Sequence, residues 1–269
     1  GRGGDASIKS LPPSHIERLA IMRNCSTKHA SNMPVLWNIV TCRKRARHMS
    51  DGFLHRYFLN NSKKRLHKWL HYFDIYERHF ERFRGTSPVM LEIGVAGGGS
   101  LQMWKEYFGP GCKIIGLDIN PDCKRHADQD IDVFIGSQDD PEIIEQIFAK
   151  YPNISIVLDD GSHIMNHMIR TFEMVYHRIA SDGVYMVEDT HTCYWPQFDG
   201  GLKRDGSFME FVKDKLDEIN AVHTKRALPV TDFTRSTNFI ACYDSVVTFE
   251  RRQQGARQAP KTGPMTLSE

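Results

Sequence analysis

A short apolar run, Pro88-Val-Met-Leu-Glu-Ile-Gly94, leads directly into the glycine-rich segment Val95-Ala-Gly-Gly-Gly-Ser100. The apolar run predicts a buried β-strand, and the glycines predict a turn whose backbone can come close to a ligand. Residues 101–108 have the pattern of a helix, and residues 113–118 form a second strand that ends in Asp118. This part of the chain is therefore predicted to be a β-α-β unit.

The same alternation continues along the chain. Further strands are predicted at 133–135, 154–158 and 184–187, with helices at 141–151 and 165–179. Residues 238–250 predict an antiparallel hairpin around Asp244-Ser245. Together these elements predict an α/β protein with a doubly wound, mostly parallel sheet.

Two acidic pairs follow predicted strands. Asp159-Asp160 comes after one strand with His163 close behind, and Glu188-Asp189 comes after the next with His191 close behind. The carboxyl ends of parallel strands lie at one edge of a sheet, which is where such folds bind ligands. Carboxylates crowded there repel one another unless a cation or a hydroxyl-bearing ligand lies between them. A divalent metal such as Mg²⁺ is the expected partner.

The glycine-rich turn predicts a nucleotide-like ligand. Asp118 stands 24 residues after Gly94, a spacing suited to hydrogen bonds with ribose hydroxyls of a dinucleotide or of an adenosyl ligand. Glu92 favours S-adenosylmethionine, because a carboxylate would repel a pyrophosphate and attract an ammonium group. An ordinary tight turn with a surface aspartate is the alternative.

The charge is distributed unevenly. Residues 1–70 carry 14 Lys and Arg against 3 Asp and Glu, a net charge of +11, whereas the rest of the chain carries 21 against 30, or −9. We expect residues 1–65 to form a basic, mainly helical extension. It could be a solvated face, a surface that docks on the acidic core or a neighbouring subunit, or a peripheral attachment to anionic lipid. Nucleic acid is not expected as a partner, because no recognition motif accompanies the basic residues.

A helical pattern over residues 66–80 puts four aromatic residues on one stripe: Trp69, Phe73, Tyr76 and Phe80. The domain is therefore expected to span residues 66–250, and residues 251–269 are expected to be disordered. The six scattered cysteines favour free thiols, and with no long apolar run the protein is expected to be soluble and cytoplasmic.

Several motifs between residues 68 and 251 give the chain a family resemblance. They are His71-Tyr-Phe-Asp-Ile-Tyr76, Leu91-Glu-Ile-Gly-Val95, Ser100-Leu-Gln-Met-Trp104, Gly116-Leu-Asp118-Ile-Asn-Pro121, Asp159-Asp-Gly-Ser-His163, Glu188-Asp-Thr-His-Thr-Cys-Tyr-Trp195 and Tyr243-Asp-Ser-Val-Val247. The chain resembles the magnesium-dependent sugar O-methyltransferases that use S-adenosylmethionine, typified by the mycinamicin macrolide enzymes. Related proteins are labelled cephalosporin hydroxylase.

The resemblance implies a class I methyltransferase fold, Rossmann-like and seven-stranded, in a homo-oligomer. It implies that Asp160, Glu188 and Asp189 bind Mg²⁺ and that His163 is the catalytic base beside the metal-bound acceptor, with Asp160 also catalytic. The residues expected to bind the cofactor are Glu92, Gly94, Ala96, Gly98, Ser100, Asp118, Gln138, Asp139 and Asp159. Ser137-Gln138-Asp139 departs from the usual Gly-Asp-Gln pattern, which leaves adenine recognition by Gln138 open.

A sugar hydroxyl is a poor nucleophile, so metal coordination and a neutral histidine suit its methylation. His163 could instead cap the following helix. The loop 190–207 supplies His191, Tyr194 and Trp195 as candidate contacts to the acceptor, although its aromatic residues could equally anchor the loop on the core and His191 suits a structural role.

Two other functions compete with methyl transfer to a saccharide or glycosylated natural product. One is a nicotinamide-dependent oxidoreductase or a hydroxylase, disfavoured by Glu92 and by the lack of a convincing two-histidine, one-carboxylate iron pattern. The other is a nonenzymatic module that binds the cofactor without turning it over.

Overall fold

The computed structural model of the protein describes residues 52–263. The α-helices of this part are α1 (Phe53–Leu59), α2 (Tyr72–Phe80), α3 (Gly99–Phe108), α4 (Pro141–Lys150), α5 (Met165–Val175), α6 (Phe208–Ile219) and α7 (Asp232–Ser236). Its strands are β1 (Val89–Ile93), β2 (Lys113–Asp118), β3 (Ile131–Ile135), β4 (Ile156–Asp159), β5 (Val184–Val187), β6 (Thr237–Tyr243) and β7 (Val246–Arg251). A 3₁₀ helix, Thr190–Tyr194, follows β5.

The seven strands form one sheet in the order β3-β2-β1-β4-β5-β7-β6. The first five strands pair in parallel, and β7 pairs antiparallel with both β5 and β6. The predicted doubly wound, mostly parallel sheet with an antiparallel C-terminal hairpin is therefore confirmed. The strand order reverses at β1, so the carboxyl ends of β1 and β4 border the crevice in which such sheets bind ligands.

Two apolar layers bury the sheet. β4 and β5 are buried along their whole length, as expected of central parallel strands. One layer packs α1, α2 and α3 around Trp104, and the other packs α4, α5 and α6 around Phe172. Both faces are thus covered, and the polar groups after the strands gather at the carboxyl edge.

The predicted helix over residues 66–80 begins only at Tyr72. Phe73, Tyr76 and Phe80 are buried as the pattern predicts, but Trp69 precedes the helix and is 55% exposed. Residues 65–69 instead run along the glycine-rich turn, where Gly99 N donates to Arg65 O at 3.1 Å. The aromatic stripe is therefore three residues long within the helix, and Trp69 belongs to the crevice.

The compact unit begins before the predicted boundary at residue 66. Leu54 in α1 is fully buried in the core beside α2, and its backbone N donates to Glu77 Oε1 at 2.7 Å. The predictions for residues 1–51, including the basic run Arg43–Arg47, lie outside the described residues, as does the end of the predicted disordered tail, 264–269. Residues 252–263 have neither helix nor strand, although Arg252 N and Gln254 N donate to the carbonyls of Ser236 and Arg235.

Four of the six cysteines fall in the described part, and all four are free: Cys112, Cys123, Cys193 and Cys242. No helix between residues 52 and 263 is both long and apolar enough to cross a membrane.

Candidate active site

The carboxyl ends of β1, β4 and β5 open into a cavity of about 740 Å³. Register places these ends side by side: Asp160 N donates to Ile93 O, and Glu188 N donates to Asp159 O, both at 2.9 Å. The cavity is lined by Arg65–Trp69, Tyr72, Gly94–Gly97, Ser100, Asn120, Arg125, Asp160, His163, Glu188 and Asp189. The two predicted acidic strand ends therefore meet beside the glycine-rich turn.

Asp118 shapes the glycine-rich turn. Its Oδ2 accepts from Val95 N at 2.8 Å and from Ala96 N at 3.0 Å, while Oδ1 accepts from Asn120 N at 2.8 Å. Partial burial opposes ionisation, but the backbone N–H donors outweigh it and lower the pKa of Asp118. The carboxylate keeps lone pairs free for a ribose hydroxyl, so its predicted role fits its position.

The turn needs glycine at position 94. Gly94 has φ +92°, and a Cβ there would lie 2.0 Å from the carbonyl oxygen of Asp160. The missing side chain lets the glycine-rich turn and the acidic loop touch directly. Ala96 and Ser100 also line the cavity, whereas Gly98, at φ +71°, lies at the start of α3 against the ring of His126.

A second cavity of about 270 Å³ lies on the other side of Gly94. Its walls are mostly apolar and include Ile93, Leu117, Ile119 and Ile164. Gln138 lines it, with Nε2 donating to Asp159 and Thr171 and Oε1 accepting from Ser162 N at 2.7 Å.

Two residues that were predicted to bind the cofactor, Asp159 and Asp139, do not line the second cavity. Asp159 is 2% exposed, its carboxylate accepts from Gln138 and Tyr185, and burial raises its pKa to about 7. Asp139 accepts from Ser137 Oγ and Arg170 and lines neither of these two cavities. These carboxylates support the pocket and do not face it.

The acidic loops bring three candidate metal ligands together. One ligand atom each from Asp160, His163 and Asp189 lies within 4.8 Å of the other two, the one such group among residues 52–263. His163 Nε2 lies 3.8 Å from Asp160 Oδ1 and 3.8 Å from Asp189 Oδ2. His163 (φ 57°) and Asp189 (φ 53°) both adopt the left-handed conformation, which is uncommon for residues other than glycine.

Glu188, the third predicted Mg²⁺ ligand, is not in that group. It is 1% exposed and accepts from Tyr76 Oη and from Lys68 Nζ, the latter at 2.9 Å. Burial and the neighbouring Asp160 raise the pKa of Glu188 to about 8, against the effect of Lys68. Glu188 is therefore more deeply buried than Asp160 and Asp189.

Lys68 is a site residue that sequence reasoning missed. Its Nζ lies 2.6 Å from Asp160 Oδ2, 2.9 Å from Glu188 Oε2 and 3.9 Å from Glu92 Oε1, and the side chain is 4% exposed. Burial favours the neutral amine, but the three carboxylates hold the pKa of Lys68 well above its usual value. No local pattern marks this residue, because its partners follow 24 to 120 positions later.

Glu92 lies beneath the glycine-rich turn. It is fully buried, its Oε2 accepts from Ser100 Oγ at 2.9 Å, and burial raises its pKa to about 7. Its Oε1 has no hydrogen-bond partner among the described residues. A buried acceptor without a donor is suited to accept from a ligand group or a water molecule.

Aromatic rings border the cluster of Asp160, His163 and Asp189, called the acidic group below. The His191 ring lies 4.7 Å from that of Trp195 and 6.1 Å from that of Trp69, and the Phe198 ring lies 6.2 Å from His163. Trp69 lines the large cavity, while Trp195 and Tyr194 are 43% and 47% exposed nearby. The predicted residues His191 and Trp195 are thus in the same rim as Trp69, a residue that the helical pattern had placed elsewhere.

Comparison with known proteins identifies the relatives of this chain. Residues 84–204 match the model of the rhamnosyl O-methyltransferase/CmcI family. The chain is 39% identical over 166 residues to the demethylmacrocin O-methyltransferase of Streptomyces fradiae, covering 56% of this chain and 41% of the relative. It is 35% identical over 197 residues to the 8-demethyl-8-alpha-L-rhamnosyl tetracenomycin-C 2'-O-methyltransferase of Streptomyces olivaceus, covering 69% and 52%.

A solved structure has the same fold. The MycE methyltransferase of the mycinamycin pathway, in complex with Mg and SAH, superposes with a TM-score of 0.66 at 30% identity, over 75% of this chain and 54% of MycE. Another MycE structure contains Mg, SAH and mycinamycin VI. The chain spans about half the length of these relatives. The class I methyltransferase fold and the family resemblance are confirmed.

Proposed function

We propose that this chain, whose residues 84–204 match the rhamnosyl O-methyltransferase/CmcI family, transfers a methyl group from S-adenosylmethionine to a sugar hydroxyl. The observation that carries the proposal is the convergence of Asp160, His163 and Asp189 next to a glycine-rich turn held by Asp118. The acceptor would be a glycosylated natural product or a saccharide, because the relatives are named for such substrates.

The two cavities suggest how the cofactor would lie. The apolar cavity lined by Gln138 suits an adenine ring. Asp118 also lines it and accepts from Val95 N and Ala96 N, which border the large cavity, so ribose hydroxyls would reach it. Glu92 Oε1 is buried and has no hydrogen-bond partner among the described residues, although Lys68 Nζ lies 3.9 Å away; it would accept from the ammonium group of the methionine part. The methyl group would then face the acidic group across Gly94.

The donor set fits a divalent cation. Two carboxylates and an imidazole lie within 4.8 Å, and hard cations such as Mg²⁺ prefer carboxylate oxygens together with water and substrate oxygens. Asp160 and Asp189 would hold the ion, with Glu188 supporting Asp160 through their shared contact with Lys68. When bound, the ion would lower the pKa of an acceptor hydroxyl.

His163 is the proposed base. Its Nε2 lies between the two carboxylates at 3.8 Å from each, so a hydroxyl held beside them would be within its reach. The neutral imidazole would take the hydroxyl proton as the oxygen attacks the methyl carbon. The sulfonium bond breaks in the same step, leaving S-adenosylhomocysteine.

Three further predictions concern the whole protein and stay proposals. They are assembly into a homo-oligomer, contact of the basic N-terminal segment with a membrane, and a cytoplasmic location.

The proposal is tested by calorimetric titration of S-adenosylmethionine, S-adenosylhomocysteine and NAD(H), each with and without Mg²⁺. Wild type should bind the two adenosyl ligands and not NAD(H), and Asp160→Ala should lose Mg²⁺ binding. Asp214→Ala, which removes an exposed carboxylate on α6, is the matched control and should bind as wild type does.

Binding of NAD(H) alone would overturn the methyltransferase proposal in favour of an oxidoreductase. Binding of S-adenosylmethionine without turnover on any saccharide acceptor would favour a nonenzymatic module. Retention of Mg²⁺ binding by Asp160→Ala would remove the metal site from this position.

A further inference from the structure

The turn between β6 and β7 reaches the acidic group, although it lies more than fifty residues further along the chain. Ser245 has φ +63°, and its carbonyl accepts from Thr190 N at 3.1 Å. Its Oγ lies 3.3 Å from His191 N, and the imidazole Nδ1 of His191 also contacts it. The turn is therefore fastened to the segment directly after Asp189.

Tyr72 connects this turn to Asp189. Its hydroxyl donates to Asp189 Oδ1 at 2.6 Å, and its oxygen lies 2.8 Å from Ser245 Oγ. Tyr72 is fully buried at the start of α2, and the preceding residue, His71, contacts Asp244 O at 3.2 Å. Ser245, Tyr72 and Asp189 thus form a chain of hydrogen bonds between three segments far apart in sequence.

This chain of hydrogen bonds leaves one carboxylate oxygen of Asp189 free for a ligand. Tyr72 holds Asp189 Oδ1, and Asp189 Oδ2 faces His163 at 3.8 Å. Asp160 has the same arrangement, because Lys68 holds its Oδ2 and its Oδ1 faces His163. Each carboxylate is fastened at one oxygen by the protein and presents the other to the same point.

We infer that Tyr72 and Ser245 are positioning residues that orient Asp189 for a divalent cation, with Ser245 acting through Tyr72. The inference rests on the proposed metal site and gives the motif Tyr243-Asp-Ser-Val-Val247 a role beyond the hairpin. Groups that hydrogen-bond to metal ligands fix their orientation, and their loss costs about 10–100-fold in metal affinity or activity.

The test measures Mn²⁺ affinity from the electron paramagnetic resonance signal of the free ion, which requires no acceptor and no turnover. Tyr72→Phe should weaken Mn²⁺ binding about 10–100-fold, and Ser245→Ala should weaken it less. The double variant should bind no more weakly than Tyr72→Phe, because residues that act through one contact are not additive. Affinity for S-adenosylhomocysteine should stay within about twofold of wild type in all three, as the local contacts of the cofactor are intact.

Tyr185→Phe is the matched control. Its hydroxyl is also buried and also donates to a carboxylate, Asp159 Oδ2 at 3.2 Å, but that carboxylate is outside the metal group. This variant should bind Mn²⁺ as wild type does.

The inference is overturned if Tyr72→Phe keeps wild-type Mn²⁺ affinity, if Tyr185→Phe loses as much, or if the two single losses add in the double variant. In those cases wild type still binds Mn²⁺ and S-adenosylhomocysteine, so the proposed function survives. Wild type that binds neither ligand would overturn the proposed function and this inference together.

Discussion

The half of the crevice around Asp118 and the half around Asp160 are held by different kinds of contact. In the first half, Asp118 accepts from three backbone N–H groups, all within 23 residues of it along the chain. In the second half, the carboxylates are held by the side chains of Lys68, Tyr72 and Tyr76, which lie 92 to 120 residues away along the chain.

This difference shows that the half around Asp160 depends on side chains from residues 65–80. The hydrogen bonds that Asp118 accepts come only from the β-α-β unit and the residues directly after it, although Gly99 N also donates to Arg65 O. The acidic half exists only when α2 and the residues before it are docked, because they supply its counter-ion and two of its hydrogen-bond donors. We therefore expect a substitution in one half to leave the ligand affinity of the other half unchanged.

The largest effect on stability is expected from Lys68→Met, which removes the counter-ion of the acidic half. Loss of the ammonium leaves the buried Glu188 and the partly exposed Asp160 without a counter-ion, and removing one partner of a buried pair costs about 3–5 kcal/mol. The measurement is chemical unfolding of the metal-free protein. Lys63→Met, which removes an exposed partner of Glu106, should cost far less, because water screens an exposed ion pair; equal losses would show that Lys68 is not a counter-ion.

Glu92→Gln should stabilise the protein in a pH-dependent way. Burial raises the pKa of Glu92 to about 7, so its contribution to stability is fully present below the unfolded pKa and is lost as the pH rises through 7. The variant should match wild type near pH 4.5 and exceed it by about 2–3 kcal/mol at pH 8.

Thermal unfolding at pH 4.5, 6 and 8 checks this. Glu173→Gln, at an exposed position on α5, should leave stability unchanged at each pH. A constant difference between Glu92→Gln and wild type would mean that Glu92 is not held against ionisation.

Asp118→Asn tests the backbone-held half. The amide can accept from fewer of the N–H donors and loses the charge-assisted bond to a ribose, so affinity for S-adenosylhomocysteine should fall by about 1.5–2 kcal/mol, or roughly tenfold or more. Calorimetry measures the loss, and Mn²⁺ affinity should not change. Asp122→Asn, four residues later and exposed, is the control; a parallel loss of Mn²⁺ binding would mean that the two halves are not independent.

The smallest effects are expected at the aromatic rim. Trp69→Ala and Trp195→Ala should raise the KM for the acceptor by about 2–10-fold, equivalent to roughly 0.5–1.5 kcal/mol of ring contact. Affinity for S-adenosylhomocysteine should be intact. Trp69 should show the larger effect because it lines the cavity. Leu202→Ala, on the exposed part of the same loop as Trp195, should be neutral, and unchanged acceptor kinetics in both tryptophan variants would remove the rim from substrate binding.

Local patterns predicted the parts of the molecule that local physics controls. Strands β1, β2 and β5 agree with the sequence to within one residue, because apolar runs between glycine, proline and acidic residues leave few alternatives. The position of Asp118 at the end of β2 was predicted for the same reason, and its partners belong to the same β-α-β unit.

The parts that were missed depend on contacts between distant segments. Lys68 and Trp69 fit a helical pattern, yet both precede α2: Lys68 contacts three carboxylates, of which Glu92 and Glu188 are buried, and Trp69 lines the crevice. Glu188 and Asp189 are adjacent in sequence, and no pattern shows that Tyr76 binds the first and Tyr72 the second. Only the packing of α2 against the sheet decides that.

The position of β7 has a consequence for how the protein is made. β7 lies between β5 and β6 in the sheet. However, β6 and β7 are almost the last part of the described chain to leave the ribosome. Until residues 237–251 emerge, the edge of β5 has no partner on that side and is open to association with other chains. Tyr72, whose hydroxyl donates to Asp189, would also lack its contact with Ser245, so a nascent chain or a product of early termination would carry the glycine-rich turn without a complete acidic half.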